Sequence, residues 1–273
     1  MNWKNLFKPS SSLTPAEAKN FMAGKESGSY QLLDVRQPGE YEQGHLPGAR
    51  LIPLKELPSR LGELHKNKPV IVYCAVGGRS RAAAQLLSGR DFTEVYNLRG
   101  GIKAWDGGQA LGSEETGLDF FTGKENYDDG ATLAYAMEDG LQIFYRTLAE
   151  RAVDREPQEL YLRLAGFEDR HKSRLMEEYR ERHQGRELVV KEIPGIMEGG
   201  RRVADFLKRA EALIRNQRDI IELAMTLETQ SLDLYSRMAQ KSSDREAKNF
   251  FLSMADEERS HLSLLSDELD KLL

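Results

Sequence analysis

Metal-binding residue types recur at one fixed interval in the second half of this chain. Glu138, Glu168 and His171 are followed 90 positions later by Glu228, Glu258 and His261. Tyr145 and Tyr235 keep the same offset, as do Ala149 and Ala239. The apolar frame repeats with them, in the pairs Leu133/Leu223, Ala134/Ala224, Ala165/Ala255 and Leu175/Leu265. Residues three apart on an α-helix share a face. Glu168 with His171, and Glu258 with His261, therefore each project to one point. Two helical hairpins of this kind bring four carboxylates and two imidazoles to a shared centre, the ligand set of a carboxylate-bridged di-iron site in a four-helix bundle. Such an oxygen-rich set suits iron or manganese better than zinc, which favours four ligands and often thiolate.

The competing reading is a set of solvated surface charges. Glu228 argues against it, because its helical stripe also takes in Leu232 and Tyr235, which marks an inward face. A carboxylate on that face without a cation is costly. Tyr145 and Tyr235 lie two turns beyond Glu138 and Glu228. They read either as core aromatics or as hydroxyls supporting the ligand carboxylates.

The two halves of the chain differ in texture. Residues 1–106 read as an α/β domain. Gln31–Val35, Arg50–Ile52, Val70–Tyr73 and Val95–Leu98 read as short strands, and Val70-Ile71-Val72-Tyr73 lacks polar alternation. That run suits a parallel sheet covered on both faces. Thr14-Pro15-Ala16-Glu17 predicts a helix start. Residues 107–126 carry five glycines among polar residues and read as a linker, with Leu118-Asp119-Phe120-Phe121 able to pack on one domain. Residues 127–273 read as an all-α domain, with helices expected near 127–152, 156–184, 201–241 and 243–272. Residues 185–200 form the long crossover between the hairpins, and the start of 201–241 allows a separate short helix.

The set Glu138, Glu168-x-x-His171, Glu228, Glu258-x-x-His261 resembles the rubrerythrin branch of ferritin-like proteins over about residues 127–273. The resemblance implies a four-helix bundle holding two iron ions, with those six residues as ligands. It further implies reduction of peroxide or oxygen, or oxidation of iron. The chain departs from that family in two respects. It has no rubredoxin domain, so the electron donor is expected to be another protein. An extra glutamate one turn beyond the third-helix ligand is replaced by Ser231.

A second site is expected around the only cysteine. Cys74 ends a buried strand and is followed by Ala75, Val76, Gly77, Gly78, Arg79 and Ser80, which open a helix. Free backbone N–H groups and the positive helix end favour thiolate there. The paired glycines let several amides converge on one anion, and Arg79 adds positive charge. Such a cradle suits a nucleophile carrying an anionic outer atom, such as a persulfide sulfur. Four residues separate Cys74 from Arg79, one fewer than in phosphatase loops of Cys-x5-Arg form.

From about Ser12 to Trp105 the chain resembles the rhodanese sulfurtransferases. The residues that carry this are Leu33-Asp34-Val35-Arg36, Glu40-Tyr41, Gly44-His45-Leu46-Pro47-Gly48-Ala49, Tyr73-Cys74, Gly77, Arg79-Ser80 and Leu98-Arg99-Gly100-Gly101-Ile102-Lys103-Ala104-Trp105. The resemblance implies that Cys74 accepts sulfur from a small donor and passes it to a thiol or cyanide. Asp34, Arg36 and His45 read as turn residues that hold the active loop. With no second cysteine, the acceptor has to come from outside.

The expected architecture is thus a rhodanese-like α/β domain followed by a ferritin-like four-helix bundle. Persulfide chemistry at Cys74 is expected to couple to a di-iron redox centre. The alternative is an iron-binding sensor, or a sulfur or iron delivery module without rapid turnover. A formal net charge of −5 argues against nucleic acid as a partner. No apolar run is long enough for a membrane span, and the N-terminus lacks a signal-peptide core. A cytoplasmic location and a homodimer are expected.

Overall fold

The structure, a computed structural model, describes residues 11–189 and 195–272. The N-terminal residues on which the absence of a leader was read lie mostly outside them. The chain divides into two compact units, Met1–Glu115 and Thr116–Leu273.

The first unit is a five-stranded parallel sheet in the order β1-β5-β4-β2-β3. The strands are β1 (Ser11–Leu13), β2 (Gln31–Asp34), β3 (Arg50–Leu51), β4 (Val70–Tyr73) and β5 (Val95–Leu98). Every residue of β4 is fully buried, as an unbroken Val-Ile-Val-Tyr run requires of a central strand. The interleaved helices are α1 (Pro15–Ala23), α2 (Pro38–Glu42), α3 (Leu57–Arg60) and α4 (Gly78–Ser88). Helix α1 starts with the expected capping box between Thr14 and Glu17. The short α2 starts with a second one, between Gln37 and Glu40. One apolar cluster joins Val70, Val72 and Cys74 to Ala83, Ala84 and Leu87 of α4. Cys74 thus lies where the central strand meets the first turn of α4.

The second unit is built from two long helical hairpins. Helix α5 (Tyr127–Arg151) packs on α6 (Arg155–Arg182), and α8 (Gln217–Lys241) packs on α9 (Arg245–Asp270). Asn126, Asn216 and Asp244 cap α5, α8 and α9 through their side chains. The stretch expected as one helix over 201–241 is divided. It holds β7 (Arg201–Arg202), α7 (Val203–Leu213) and then α8. Its break falls at Ile214, whose extended backbone ends α7 before the Asn216 cap.

The expected linker 107–126 is not a free connection. Ala110 forms a two-bonded bridge with His45, and Glu114 accepts from the Leu51 amide, both within the first unit. Leu118 and Phe121 are buried in the second unit, where Phe121 meets Phe251 edge-on.

Helix α5 carries a glycine mid-helix, where glycine costs about 1 kcal/mol relative to alanine. The crossover supplies the reason. Its hairpin of β6 (Ile196–Met197) and β7 presses backbone onto the helix, and a Cβ at Gly140 would lie 1.7 Å from the Ile196 carbonyl oxygen. Gly140→Ala is therefore expected to lower stability by about 2 kcal/mol despite its better helix propensity, a fall of about 4–8 °C in melting temperature. Gly166→Ala is the control. The atom nearest its added methyl is the Arg170 guanidinium at 3.9 Å, so thermal denaturation should show a gain of about 0.5–1 kcal/mol.

Candidate functional site

Helix packing gathers all six expected metal-binding residues. Glu138 comes from α5, Glu168 and His171 from α6, Glu228 from α8, and Glu258 and His261 from α9. They form two groups, Glu138/Glu168/His171 and Glu228/Glu258/His261, with the donor atoms of each group within 4.8 Å of one another. His171 Nδ1 lies 3.4 Å from Glu138 Oε2 and 3.2 Å from Glu168 Oε2. His261 Nδ1 repeats this at 3.3 Å from Glu228 and 3.2 Å from Glu258. The two imidazoles stack at 3.9 Å with planes 4° apart, which makes the groups neighbours. The four carboxylates are 0–5% exposed. The surface-charge reading fails on that burial.

The layer separates two apolar clusters. Met137 and Leu232 lie in one, Leu141 and Leu227 in the other. Tyr235 is buried in the first and Tyr145 in the second. Ser231 is fully buried, and its hydroxyl donates to the Leu227 carbonyl.

Charge tests whether a metal pair fits. As a proton-binding site the layer already strains the ordinary values. Burial pushes the His171 imidazole down, but Glu138 and Glu168 outweigh it and hold the group up at about 11. Burial pushes Glu228 up, yet Glu258 and His261 bring it below the usual carboxylate value. Even with both imidazoles protonated, four ionised carboxylates leave the layer with net negative charge. Two divalent cations with neutral imidazoles cancel it, and one cation does not. Cations compete with protons for the same Nδ1 lone pairs, so loading releases protons. The donor set therefore fits two oxygen-seeking divalent ions.

One feature beside this layer was not expected from the sequence. Lys172, 7% exposed, donates to Asp139 at 2.5 Å and to Gln142 at 2.9 Å, and Gln142 donates to Asp169 at 2.9 Å. The repeat places Leu262 opposite Lys172, so the surroundings of the two halves differ where their ligands match.

In the first unit, β4 delivers Cys74 to the loop Ala75–Arg79. Gly77 adopts φ +100°, a left-handed conformation suited to glycine, and its amide donates to Cys74 Sγ at 3.1 Å. The loop carbonyls are drawn the other way. The Ile102 amide binds the Cys74 carbonyl at 2.8 Å and the Lys103 amide binds the Ala75 carbonyl at 3.1 Å. That contact needs Gly101, where a Cβ would lie 2.3 Å from the Cys74 carbonyl oxygen. Burial pushes the Cys74 thiol up, but the Ser80 hydroxyl and the amides of Ser80, Val76 and Gly77 outweigh it, leaving the thiol below its ordinary value. Val76 stands exposed at the lip of the loop.

Arg79 was expected to lend charge to the cradle. Its guanidinium faces Cys74 and is at the same time gripped by Glu40 of α2 through two bonds of 2.6 and 2.7 Å. Arg79 holds the Glu40 carboxyl down at about 2, and its own value is raised in turn. The stability this pair contributes is thus present above the ordinary glutamate range and is lost only as pH falls towards about 2. Glu40 was singled out in the sequence only as part of the rhodanese resemblance, and its long-range pairing with Arg79 was not legible there. Asp34 and Arg36 form a buried pair at 2.6 Å, and Arg36 also donates to the Gly44 carbonyl. His45 stacks on Tyr41 at 3.6 Å and is fully buried, in keeping with a turn residue. Asn97 of β5, not singled out from the sequence, accepts from Ser80 at 2.6 Å.

Comparison with known proteins agrees with both family resemblances. A model of the rhodanese-like domain matches residues 14–107, and a rubrerythrin model matches residues 132–269. An uncharacterized Bacillus subtilis protein, YqhL, is 48% identical over 89 residues, covering 33% of this chain and 69% of its own length. A protein named sulfurtransferase from Allochromatium vinosum is 42% identical over 74 residues, covering 27% of this chain and 69% of its own. A rhodanese-like domain protein from Staphylococcus aureus, solved by crystallography, is 33% identical with a TM-score of 0.35. It covers 38% of this chain and 99% of its own. The chain belongs to the rubrerythrin family through residues 132–269 and carries a rhodanese-like domain ahead of it at residues 14–107.

Proposed function

We propose that this protein forms a persulfide on Cys74 and couples its fate to redox chemistry at a di-iron centre in the helical unit. The observation that carries the sulfur half is the loop geometry. Carbonyls are tied back by Ile102 and Lys103, and the Gly77 amide faces Sγ at 3.1 Å. The Cys74 thiolate attacks the sulfane sulfur of a small donor. A new S–S bond forms, and the donor's bond to that sulfur breaks, its electron pair leaving with the donor fragment. The loop amides hold the charge of the resulting persulfide. An external thiolate then attacks the outer sulfur and releases Cys74 as thiolate.

In the helical unit, Glu138, Glu168, His171, Glu228, Glu258 and His261 hold two iron ions, with manganese the other metal such a set accepts. Bound there, iron supplies one-electron steps toward peroxide, oxygen or a sulfur species. The carboxylates set its charge, and the apolar clusters on either side exclude bulk water. Tyr145 and Tyr235 support the ligand layer from its two sides. Electrons come from a separate donor protein, and the chain acts as a homodimer. No helix among the described residues is long and apolar enough to cross a membrane.

The coupling is tested on protein loaded with labelled sulfur at Cys74 and exposed to peroxide without acceptor thiol. Iron-loaded wild type should lose the label at least severalfold faster than a Glu138→Ala/Glu228→Ala variant and release an oxidised sulfur product. Equal lifetimes and products would contradict the coupling while leaving each site standing.

A further inference from the structure

Strand β5 reads Val-Tyr-Asn-Leu and runs between β1 and β4 in the sheet. Asn97 is 2% exposed there. Asparagine is disfavoured inside strands, and a buried amide is costly unless its groups are bonded. An apolar residue like Val95, two positions earlier, would be the cheaper choice. The amide is therefore expected to do something at this position.

Its neighbours define what. Ser80, on the first turn of α4, is fully buried, and its Oγ lies 2.6 Å from Asn97 Oδ1 and 3.4 Å from Cys74 Sγ. Asn97 Nδ2 faces Ser12 Oγ of β1 at 3.5 Å. Ser80 has one hydrogen and two acceptors in reach, and the shorter contact goes to Asn97. In this arrangement Ser80 has no hydrogen left for sulfur, and its oxygen can accept from a Cys74 S–H. The arrangement suits the neutral thiol.

An anionic sulfur reverses the demand. Thiolate or persulfide only accepts, so the Ser80 hydrogen has to turn towards it. Asn97 Oδ1 would then face the Ser80 oxygen at 2.6 Å with no hydrogen between them. Turning the amide over removes the conflict, because Nδ2 then donates to Ser80 while Ser80 donates to sulfur. Asparagine offers both an acceptor and a donor at one position. Leucine offers neither, and aspartate only accepts.

We propose that Asn97 is a positioning residue whose amide turns over with the ionisation of Cys74 and so sets whether the Ser80 hydroxyl serves the thiol or the anion. The proposal rests on the reading of Cys74 as the sulfur nucleophile. The charged group facing Cys74 is Arg79, itself held by Glu40. The Asp34–Arg36 pair stands at the end of neighbouring β2. From β5 and α4 the groups brought to it, Asn97 and Ser80, are uncharged. All these charges stay in place in the variants below.

The test follows the rate of Cys74 alkylation against pH in the full chain, a readout that needs no sulfur transfer. N97L should lower the thiolate-to-thiol ratio at fixed pH roughly fivefold, the scale of one buried hydrogen bond, because the anion state loses the Nδ2 donor that supports Ser80 as it turns to sulfur. N97D should lower the ratio by about tenfold or more. In an S80A background, N97L should have no effect. A second measurement uses the wild type: the Asn97 side-chain amide resonances should titrate with the Cys74 midpoint and lose that dependence in S80A. An N97L shift equal with and without Ser80, or amide resonances indifferent to Cys74 ionisation, would overturn the proposal. Absence of sulfur transfer with these responses intact would instead fault the assigned reaction.

Discussion

Cys74→Ser will abolish sulfur transfer, with turnover of thiosulfate and cyanide falling roughly a thousandfold or more, as when an enzyme loses its nucleophile. Serine fits the space with little change, so the fold and the loop should survive. The Gly77 amide that donates to Cys74 Sγ at 3.1 Å would meet a hydroxyl oxygen instead. The thiol already sits below its ordinary value because Ser80 and the loop amides outweigh burial. A serine hydroxyl remains protonated throughout the working range and cannot form a persulfide. Binding of an anionic donor should persist while turnover disappears, since backbone amides and not the thiol hold the anion. Steady-state thiocyanate formation measures the loss, and calorimetry measures the retained binding. Residual turnover within tenfold of wild type would mean that Cys74 is not the sulfur carrier.

Glu138→Gln will change stability with opposite sign in the metal-free and metal-loaded protein. Glu138 is 1% exposed and shares the His171 imidazole with Glu168. Without cations, four buried carboxylates crowd two imidazoles, and those beyond the imidazoles' charge either repel one another or take up protons. Removing one charge at constant volume should stabilise the chelator-treated protein by about 1–3 kcal/mol, or roughly 2–10 °C in melting temperature. With iron present the order should reverse. Wild type gains stability through binding, and the amide is a poorer ligand than the carboxylate it replaces. Melting curves with and without iron decide it. A variant less stable than wild type in both states would show that Glu138 is held by structural bonds and not by a cation.

Much of this was legible in the sequence, for local reasons. The four long helices, the capping box at Thr14 and the buried run of β4 follow from periodicity and residue type. The six residues that cluster in the helical layer were visible because the repeat turned an ambiguous Glu-x-x-His into a matched pair. What was missed depends on contacts distant in sequence. Strand β1 has three residues, two of them serines, and exists because β5 offers it an edge. The β6–β7 hairpin consists of two-residue strands, and nothing local announces that Gly140 receives its backbone. Glu40 and Arg79 are 39 positions apart, and Asn97 is brought to Ser80 only by the sheet. The Lys172 cluster breaks the internal repeat, so a search for matched positions passes over it.

The most direct test of two working sites on one chain is metal content per chain, measured by elemental mass spectrometry on protein loaded anaerobically with iron. The account predicts about two irons per chain in wild type and at most a trace in Glu138→Ala/Glu228→Ala, with sulfur transfer at Cys74 unchanged in both. One iron per chain, or a content unaffected by the two substitutions, would contradict the paired site.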